Sequence, residues 1–176
     1  MILEARGILD TDKIERLTER FRDYVDVRGN RDIMKLMRGA SLAHHGLLIS
    51  VDTVWLYDVD LSPVPAQHLA SLASCVRRDL NIVNVTGCDL VSLVSSLKCQ
   101  QLDINSQRLG REETQALVQA MESGVEKVKL WPQVSLDIET LAQYSGQGVC
   151  RELKFCGDTA ARCREELRTW TLRRNS

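Results

Sequence analysis

The chain lacks long apolar runs, and it lacks an excess of either charge. No stretch approaches the roughly 18 consecutive apolar residues that a membrane-spanning helix needs. Lysine and arginine together number 23 against 24 aspartate and glutamate residues, which leaves a net charge of -1. Such a chain has no overall field that draws it onto nucleic acid or an anionic membrane. We therefore expect neither of these to be its partner.

The spacings that mark metal and phosphate sites are also missing. No two of the six cysteines stand in a C-x2-C or C-x4-C spacing, and the histidines are the adjacent His44 and His45 and the separate His68. The sequence has no glycine-rich phosphate loop and no serine nucleophile elbow. We expect no metal, no cofactor and no catalytic residues.

The N-terminus does not read as a secretory signal. Glu4 and Arg6 occur before an apolar run of signal length can form. Without a signal, the cysteines are expected to remain reduced thiols, several of them buried as small hydrophobic residues. These observations predict a cytoplasmic protein. The alternative, that the chain is a piece of a longer protein with a signal upstream, stays open.

An internal repeat starts after residue 50. Its windows have apolar residues at positions 1, 4, 6 and 11 and a small, polar or cysteine residue at position 9, the spacing of a leucine-rich repeat. Five windows match wholly or in part, starting at Val51, Leu80, Cys99, Val125 and Cys150. Successive starts are 29, 19, 26 and 25 residues apart. Most of these spacings fall within the range of about 20 to 29 residues that is typical of this class.

Each window reads as a strand followed by a helix. Positions 4 and 6 alternate with outward residues, as in a strand that buries one face. Helical spacing follows, with Leu69, Leu72 and Val76 after the first window and Leu117, Ala120 and Met121 after the third. Stacking in parallel lets each strand bury its inward face and pair its backbone. We predict an α/β solenoid of four to five repeats, with strands on the concave side and helices on the convex side.

Three segments, 54–61, 83–90 and 102–104, carry this pattern most clearly. On these segments the chain resembles the ribonuclease-inhibitor-like leucine-rich repeats, most closely those of NOD-like immune receptors. The resemblance covers about 120 of the 176 residues. It implies noncovalent recognition of another protein, in innate immune or signalling regulation, with no catalytic residues to carry over.

Residues 1–48 are predicted to form an N-terminal helical cap in front of a leucine-rich-repeat domain at 49–176. The first predicted helix begins at Asp10 or Thr11, and its apolar stripe consists of Ile14, Leu17, Phe21 and Tyr24 or Val25. A second predicted helix places Ile33, Leu36, Met37 and Ala40 on one face. Such a cap protects the open edge of the first strand. A remnant of a helical signalling domain is the alternative.

Two further interpretations compete with protein recognition. Cys156 and Arg162 have the cysteine-x5-arginine spacing of cysteine-dependent phosphatases, between a predicted strand and a predicted helix whose N-terminus could hold a phosphate. Asp158 argues against a phosphatase, because it puts negative charge inside the anion cradle. The other interpretation is a purely structural terminal cap of a larger repeat protein, which an apolar surface around Trp170 and Leu172 would favour.

Outward strand residues form columns if the repeats stack. The middle column is predicted to hold Trp55, Asn84, Asp103, Lys129 and Lys154. The column after it holds Tyr57, Thr86, Asn105, Trp131 and Cys156, and the column before it holds Thr53, Ile82, Gln101, Lys127 and Glu152.

Aromatic residues make up only 5% of the chain, yet they are the residues that dominate binding hot spots. Their presence in these columns favours a protein-binding surface made of Trp55, Tyr57, Asn84, Asp103, Asn105, Lys127, Lys129, Trp131 and Lys154. The alternative is that Trp55 packs against the cap, that Trp131 shields a loop, and that the lysines form a solvated face.

Overall fold

A computed structural model describes residues 11–105, 107–131, 133–143 and 148–156. Within these ranges, parallel strands form one six-stranded sheet, and their order in the sheet is their order in the chain. The strands are β1 (Tyr24–Arg28), β2 (Val51–Tyr57), β3 (Val76–Val83), β4 (Gln101–Asn105), β5 (Lys127–Leu130) and β6 (Glu152–Phe155). The α/β class and the parallel strands predicted from the sequence are confirmed.

The first helix precedes β1, and the other helices connect successive strands, as parallel pairing requires. The helices are α1 (Thr11–Arg22), α2 (Ile33–His44), α3 (Ala66–Cys75), α4 (Leu90–Ser95), α5 (Arg111–Ser123) and α6 (Ile138–Leu141), and a 3-10 turn at Asn30–Asp32 precedes α2. From α2 onward, each helix packs against the next helix in the chain. Two short helices begin with an aspartate cap: Asp89 accepts a hydrogen bond from the Ser92 amide, and Asp137 accepts one from the Thr140 amide.

Alternate strand residues lie in one core on the helix side of the sheet. In β1 to β5 these inward residues are at most 2% exposed, namely Val25, Val27, Val54, Leu56, Leu80, Ile82, Leu102, Ile104, Val128 and Leu130. Leu36, Leu69, Leu117 and Met121 pack against them from the helices. Since burying one such side chain contributes about 1.5–3 kcal/mol, this stripe is the main source of stability for the sheet.

The predicted register of the second window is wrong by three residues. Leu80 pairs with Val54 on one side and with Leu102 on the other, so β3 turns Leu80 and Ile82 inward, whereas Val83 faces outward. The sequence alternates equally well in both registers, because either Leu80 and Ile82 or Val83 and Val85 can supply the inward pair. The equivalent inward positions are Val25, Val54, Leu80, Leu102, Val128 and Leu153, which lie 29, 26, 22, 26 and 25 residues apart. The anomalous 19-residue unit therefore disappears.

The N-terminal segment is not a purely helical cap. The first helix ends at Arg22, and Tyr24 and Val25, one of which was predicted to complete its apolar stripe, both belong to β1. The alternation of Val25 and Val27 with polar residues suits a strand that buries one face, and both valines are fully buried beside β2. The predicted second helix is confirmed, with Leu36 and Ala40 in the core.

Later elements agree with the sequence in most cases. The helix predicted after the third window is α5, with Leu117, Ala120 and Met121 buried. Val76, predicted on a helix, begins β3 instead. None of the described helices combines the length and apolar character of a membrane span. Trp170 and Leu172, whose surroundings would favour or exclude the terminal-cap interpretation, lie outside the described residues.

Candidate functional site

The face of the sheet opposite the core, called here the open face, carries three columns of side chains. Strand pairing places Asp26, Trp55, Asn81, Asp103, Lys129 and Lys154 in the middle column. The column toward the carboxyl ends holds Arg28, Tyr57, Val83 and Asn105 within the strands, and Trp131 and Cys156 just beyond them. The column toward the amino ends holds Tyr24, Thr53, Asp79, Gln101, Lys127 and Glu152. All are half-buried or exposed.

One predicted site residue lies elsewhere. Asn84 is not on the open face. Since the register of β3 differs by three residues from the predicted one, Asn81 occupies the place beside Asp103 that was predicted for Asn84. Asn84 lies in the turn after β3 with a positive φ of 49°, and its side-chain amide donates to the Asp58 carboxylate at 2.9 Å. Ile82, predicted to face outward, is in the core, and Thr86 lies beyond the strand. The structure brings the other eight predicted residues onto one face.

An aromatic cluster occupies the β1–β2 end of the open face. The Trp55 ring centroid lies 5.9 Å from that of Tyr24 and 5.7 Å from that of Tyr57. The Arg28 guanidinium lies 5.8 Å from the Tyr57 ring centroid. The indole Nε1 of Trp55 is buried and has no hydrogen-bond partner in the structure. Trp55 therefore packs against the N-terminal segment through Tyr24 and also forms part of the outward surface.

A pocket of about 190 Å³ opens near the middle of the face. It is lined by Tyr57, Asn81, Val83, Asp103, Asn105 and Trp131, which come from β2, β3, β4 and the end of β5. Trp131 retains 39% of its surface exposed, more than expected for an aromatic residue that only shields a loop. Sequence reasoning identified Tyr57, Asp103, Asn105 and Trp131 but missed Asn81 and Val83, because both depend on the register of β3.

Asp103 is the half-buried carboxylate of this pocket. Burial raises the pKa of its carboxyl group, and the charge of Lys129 together with hydrogen bonding by Gln101 and Trp131 opposes that shift. Its Oδ1 atom is buried and has no hydrogen-bond partner in the structure. An unpaired buried acceptor costs free energy, so this atom is kept at the expense of stability.

Lysines dominate the far end of the open face. Lys127 and Lys129 lie on β5, and Lys154 lies on β6 beside Lys129. The structure shows no ion pair for any of them among the described residues, where the one salt bridge joins Arg28 and Asp26 at 3.0 Å. The face therefore changes from aromatic at β1 and β2, through a carboxylate at β4, to basic at β5 and β6.

Cys75, Cys88, Cys99 and Cys156 on the described part of the chain are free thiols. Burial raises the pKa of Cys88 to about 11 and that of Cys99 to about 12, and it also raises the pKa values of Cys75 and Cys150. Thiols of this kind stay protonated and unreactive near neutral pH. Cys156 is half-buried at the end of β6, where its amide donates to the Leu130 carbonyl, but Asp158 and Arg162 of the phosphatase-like motif lie outside the described residues.

The three histidines lie together on the helix side. The His44 ring stacks on His68 with centroids 4.4 Å apart, and His45 lies 5.3 Å from His44. The pKa of His68 is lowered by burial and by the neighbouring His44 and His45. No group of three histidine, cysteine or acidic side chains in the described ranges has an arrangement that could hold a metal ion. His68 is therefore not isolated, although the sequence alone gave no reason to place it beside His44.

Comparison with known proteins does not identify a family for this chain. Neither a scan against protein-family models nor a search of curated proteins gave a match for the chain.

Proposed function

We propose that this chain is a leucine-rich-repeat solenoid that binds another protein through the open face of its sheet and catalyses no reaction. Support for the repeat comes from the corrected spacings of 29, 26, 22, 26 and 25 residues between equivalent inward positions. All of these lie in the range of about 20 to 29 residues that is typical of the class. With β1 and α2, the repeat begins earlier than the sequence suggested.

The observation that carries the proposed binding role is the composition of the open face. Tyr24, Trp55, Tyr57 and Trp131 are four of only eight aromatic residues in the chain, and all four lie there instead of in the core. Aromatic side chains are enriched at binding hot spots, where they supply large contact area with few rotatable bonds. A partner would also cover the buried polar atoms of Trp55 and Asp103, which have no hydrogen-bond partner among the described residues.

Cellular context is proposed from the resemblance and from the thiols. We propose a cytoplasmic protein in innate immune or signalling regulation, with no role for nucleic acid, membrane or cofactor. The raised thiol pKa values support a chain in which these cysteines serve as packed hydrophobic groups.

The experiment compares two double variants that each remove two exposed apolar side chains. Tyr57→Ala with Trp131→Ala alters the open face. The matched control is Met34→Ala with Ile49→Ala, at residues 56% and 75% exposed outside that face. Proteins captured from a cytosolic extract are identified by mass spectrometry, and the recovered partner is then purified and titrated against each variant by calorimetry.

The partner is expected to bind the wild type and the control alike, and to bind the open-face variant at least about tenfold more weakly. Circular dichroism verifies that both variants are folded. Equal affinity for all three proteins, or no recovery above an empty support, would count against the proposal.

A further inference from the structure

The pocket on the open face combines a carboxylate with aromatic walls. Asp103 lies in the middle column between Asn81 on β3 and Lys129 on β5. Tyr57 and Trp131 lie among the residues that line the same cavity. At about 190 Å³ the pocket is smaller than the roughly 300 to 1,000 Å³ of sites for drug-sized ligands. Its size suits the end of one side chain.

The unpaired Oδ1 of Asp103 indicates which kind of chemical group the pocket would bind. A buried carboxylate oxygen without a partner attracts a hydrogen-bond donor, and a charged donor makes the stronger bond. Lys129 is the cross-strand neighbour, yet it forms no ion pair with Asp103 within the described residues. Asp79, which pairs with Gln101 next to Asp103, adds a second negative charge on this part of the face. The site therefore favours a cation over an anion.

The remaining lining residues favour a planar cation. Tyr57 and Trp131 are the aromatic residues of the lining, and a guanidinium group can stack on aromatic rings of this kind. Asn81 and Asn105 offer amide groups at the same pocket. A guanidinium can use several fixed donors toward a carboxylate and neighbouring amide oxygens, whereas an ammonium acts as a point charge.

We infer that the pocket bounded by Tyr57, Asp103 and Trp131 receives an arginine side chain of the partner protein. This inference rests on the proposed function, since it names what the open face recognises. Arginine is presented by the partner's surface, its guanidinium meets the free oxygen of Asp103, and the two aromatic rings cover its plane. Lys129 repels the incoming charge and sets a limit on affinity.

The test uses the full chain and a minimal probe, Nα-acetyl-arginine amide, with Nα-acetyl-citrulline amide as its neutral isostere. Binding is followed by amide chemical shifts in nuclear magnetic resonance spectra and by tryptophan fluorescence. The arginine probe is expected to bind with a dissociation constant of about 1 mM or weaker, as for a single side chain. Citrulline is expected to bind at least about tenfold more weakly, because it lacks the charge.

Variants locate the site. Asp103→Asn should weaken arginine binding about tenfold with the shape of the pocket kept, and Trp131→Ala should weaken it severalfold. Lys129→Gln should tighten binding, because a like charge is removed. Glu152→Gln is the matched control, since it neutralises an exposed carboxylate on β6 of the same face and should leave binding unchanged.

Three results would overturn the inference: no chemical-shift change at high millimolar probe, equal binding of arginine and citrulline, or unchanged binding by Asp103→Asn. The proposed function is tested separately from this inference. If the Tyr57 and Trp131 double variant loses a protein partner while the arginine probe does not bind, the open face recognises proteins through other contacts and only this inference fails. If the probe binds but no partner depends on the face, the proposed function fails instead.

Discussion

The two faces of the sheet are built on the same strands, yet they follow opposite rules. On the core face, positions such as Val54, Leu80 and Leu102 carry aliphatic side chains from strand to strand. On the open face, the middle column runs through aspartate, tryptophan, asparagine, aspartate and lysine. Uniform residues are what stacking of equivalent units demands, whereas variation is what a surface for one specific partner demands. The comparison therefore separates the residues that make the fold from those proposed to bind.

The largest expected change in the free energy of unfolding comes from a substitution on the core face. Leu130→Ala on β5 removes a fully buried side chain and should lower the free energy of unfolding by about 2–5 kcal/mol. Lys127→Ala, on the open face of the same strand, should change it by less than about 0.5 kcal/mol. Urea unfolding followed by circular dichroism measures both. Similar losses for the two variants would show that the faces do not differ in this way.

A smaller effect of opposite sign is expected at the pocket. Because burial raises the pKa of Asp103, the folded chain favours the acid form, and the carboxylate destabilises the fold above that raised pKa. Asp103→Asn should therefore raise the free energy of unfolding at pH 7 by about 1 kcal/mol. The gain should shrink toward zero as the pH falls below the ordinary value of 3.8, where the wild-type group is protonated in both states.

Urea titrations of wild type and Asp103→Asn at pH 7 and at about pH 3, below the ordinary pKa of 3.8, test this sign, with Glu152→Gln as the exposed control. A variant less stable than the wild type at pH 7 would contradict it. Together with the arginine titration, this measurement shows whether Asp103 trades stability for binding.

The smallest effect is expected at Trp55. Trp55→Phe loses part of the ring contact with Tyr24 and Tyr57, but it also removes a buried N–H that has no partner. These opposing contributions of about 1 kcal/mol each should leave the free energy of unfolding within about 0.5 kcal/mol of the wild type. Trp55→Ala, which removes the whole ring, is the control and should cost more. A large loss in the phenylalanine variant would make Trp55 a structural residue instead of a surface one.

Sequence reasoning succeeded in segments where the spacing of the apolar residues fits only one strand register or one helix face. The inward pair Val54 and Leu56 and the helix face of Leu117 and Met121 follow from alternation and helical spacing, and both are buried as predicted. It failed at β3, because Leu80, Ile82, Val83 and Val85 fit two registers. The 19-residue spacing was the signal of the error, since moving the window by three residues brings every unit into the usual range.

The candidate site was predictable only in part, for a related reason. Which residues point outward follows from alternation, but which outward residues meet depends on register, and a slip exchanges the neighbours of every side chain. Asn84 was therefore placed beside Asp103 when Asn81 belongs there. The unpaired Oδ1 of Asp103 depends on the positions of several neighbouring strands, and no linear pattern reports it.

The order of the sheet has a consequence for how such a chain can change in length. Each strand pairs only with the strands just before and after it in the sequence, and helices from α2 onward pack in the same order. Removing or duplicating one unit of strand and helix therefore disturbs one junction and leaves the other pairings as they were. A gene that gains or loses such a unit lengthens or shortens the open face without redesigning its core. The reach of the surface can then evolve separately from the chemistry of its pocket.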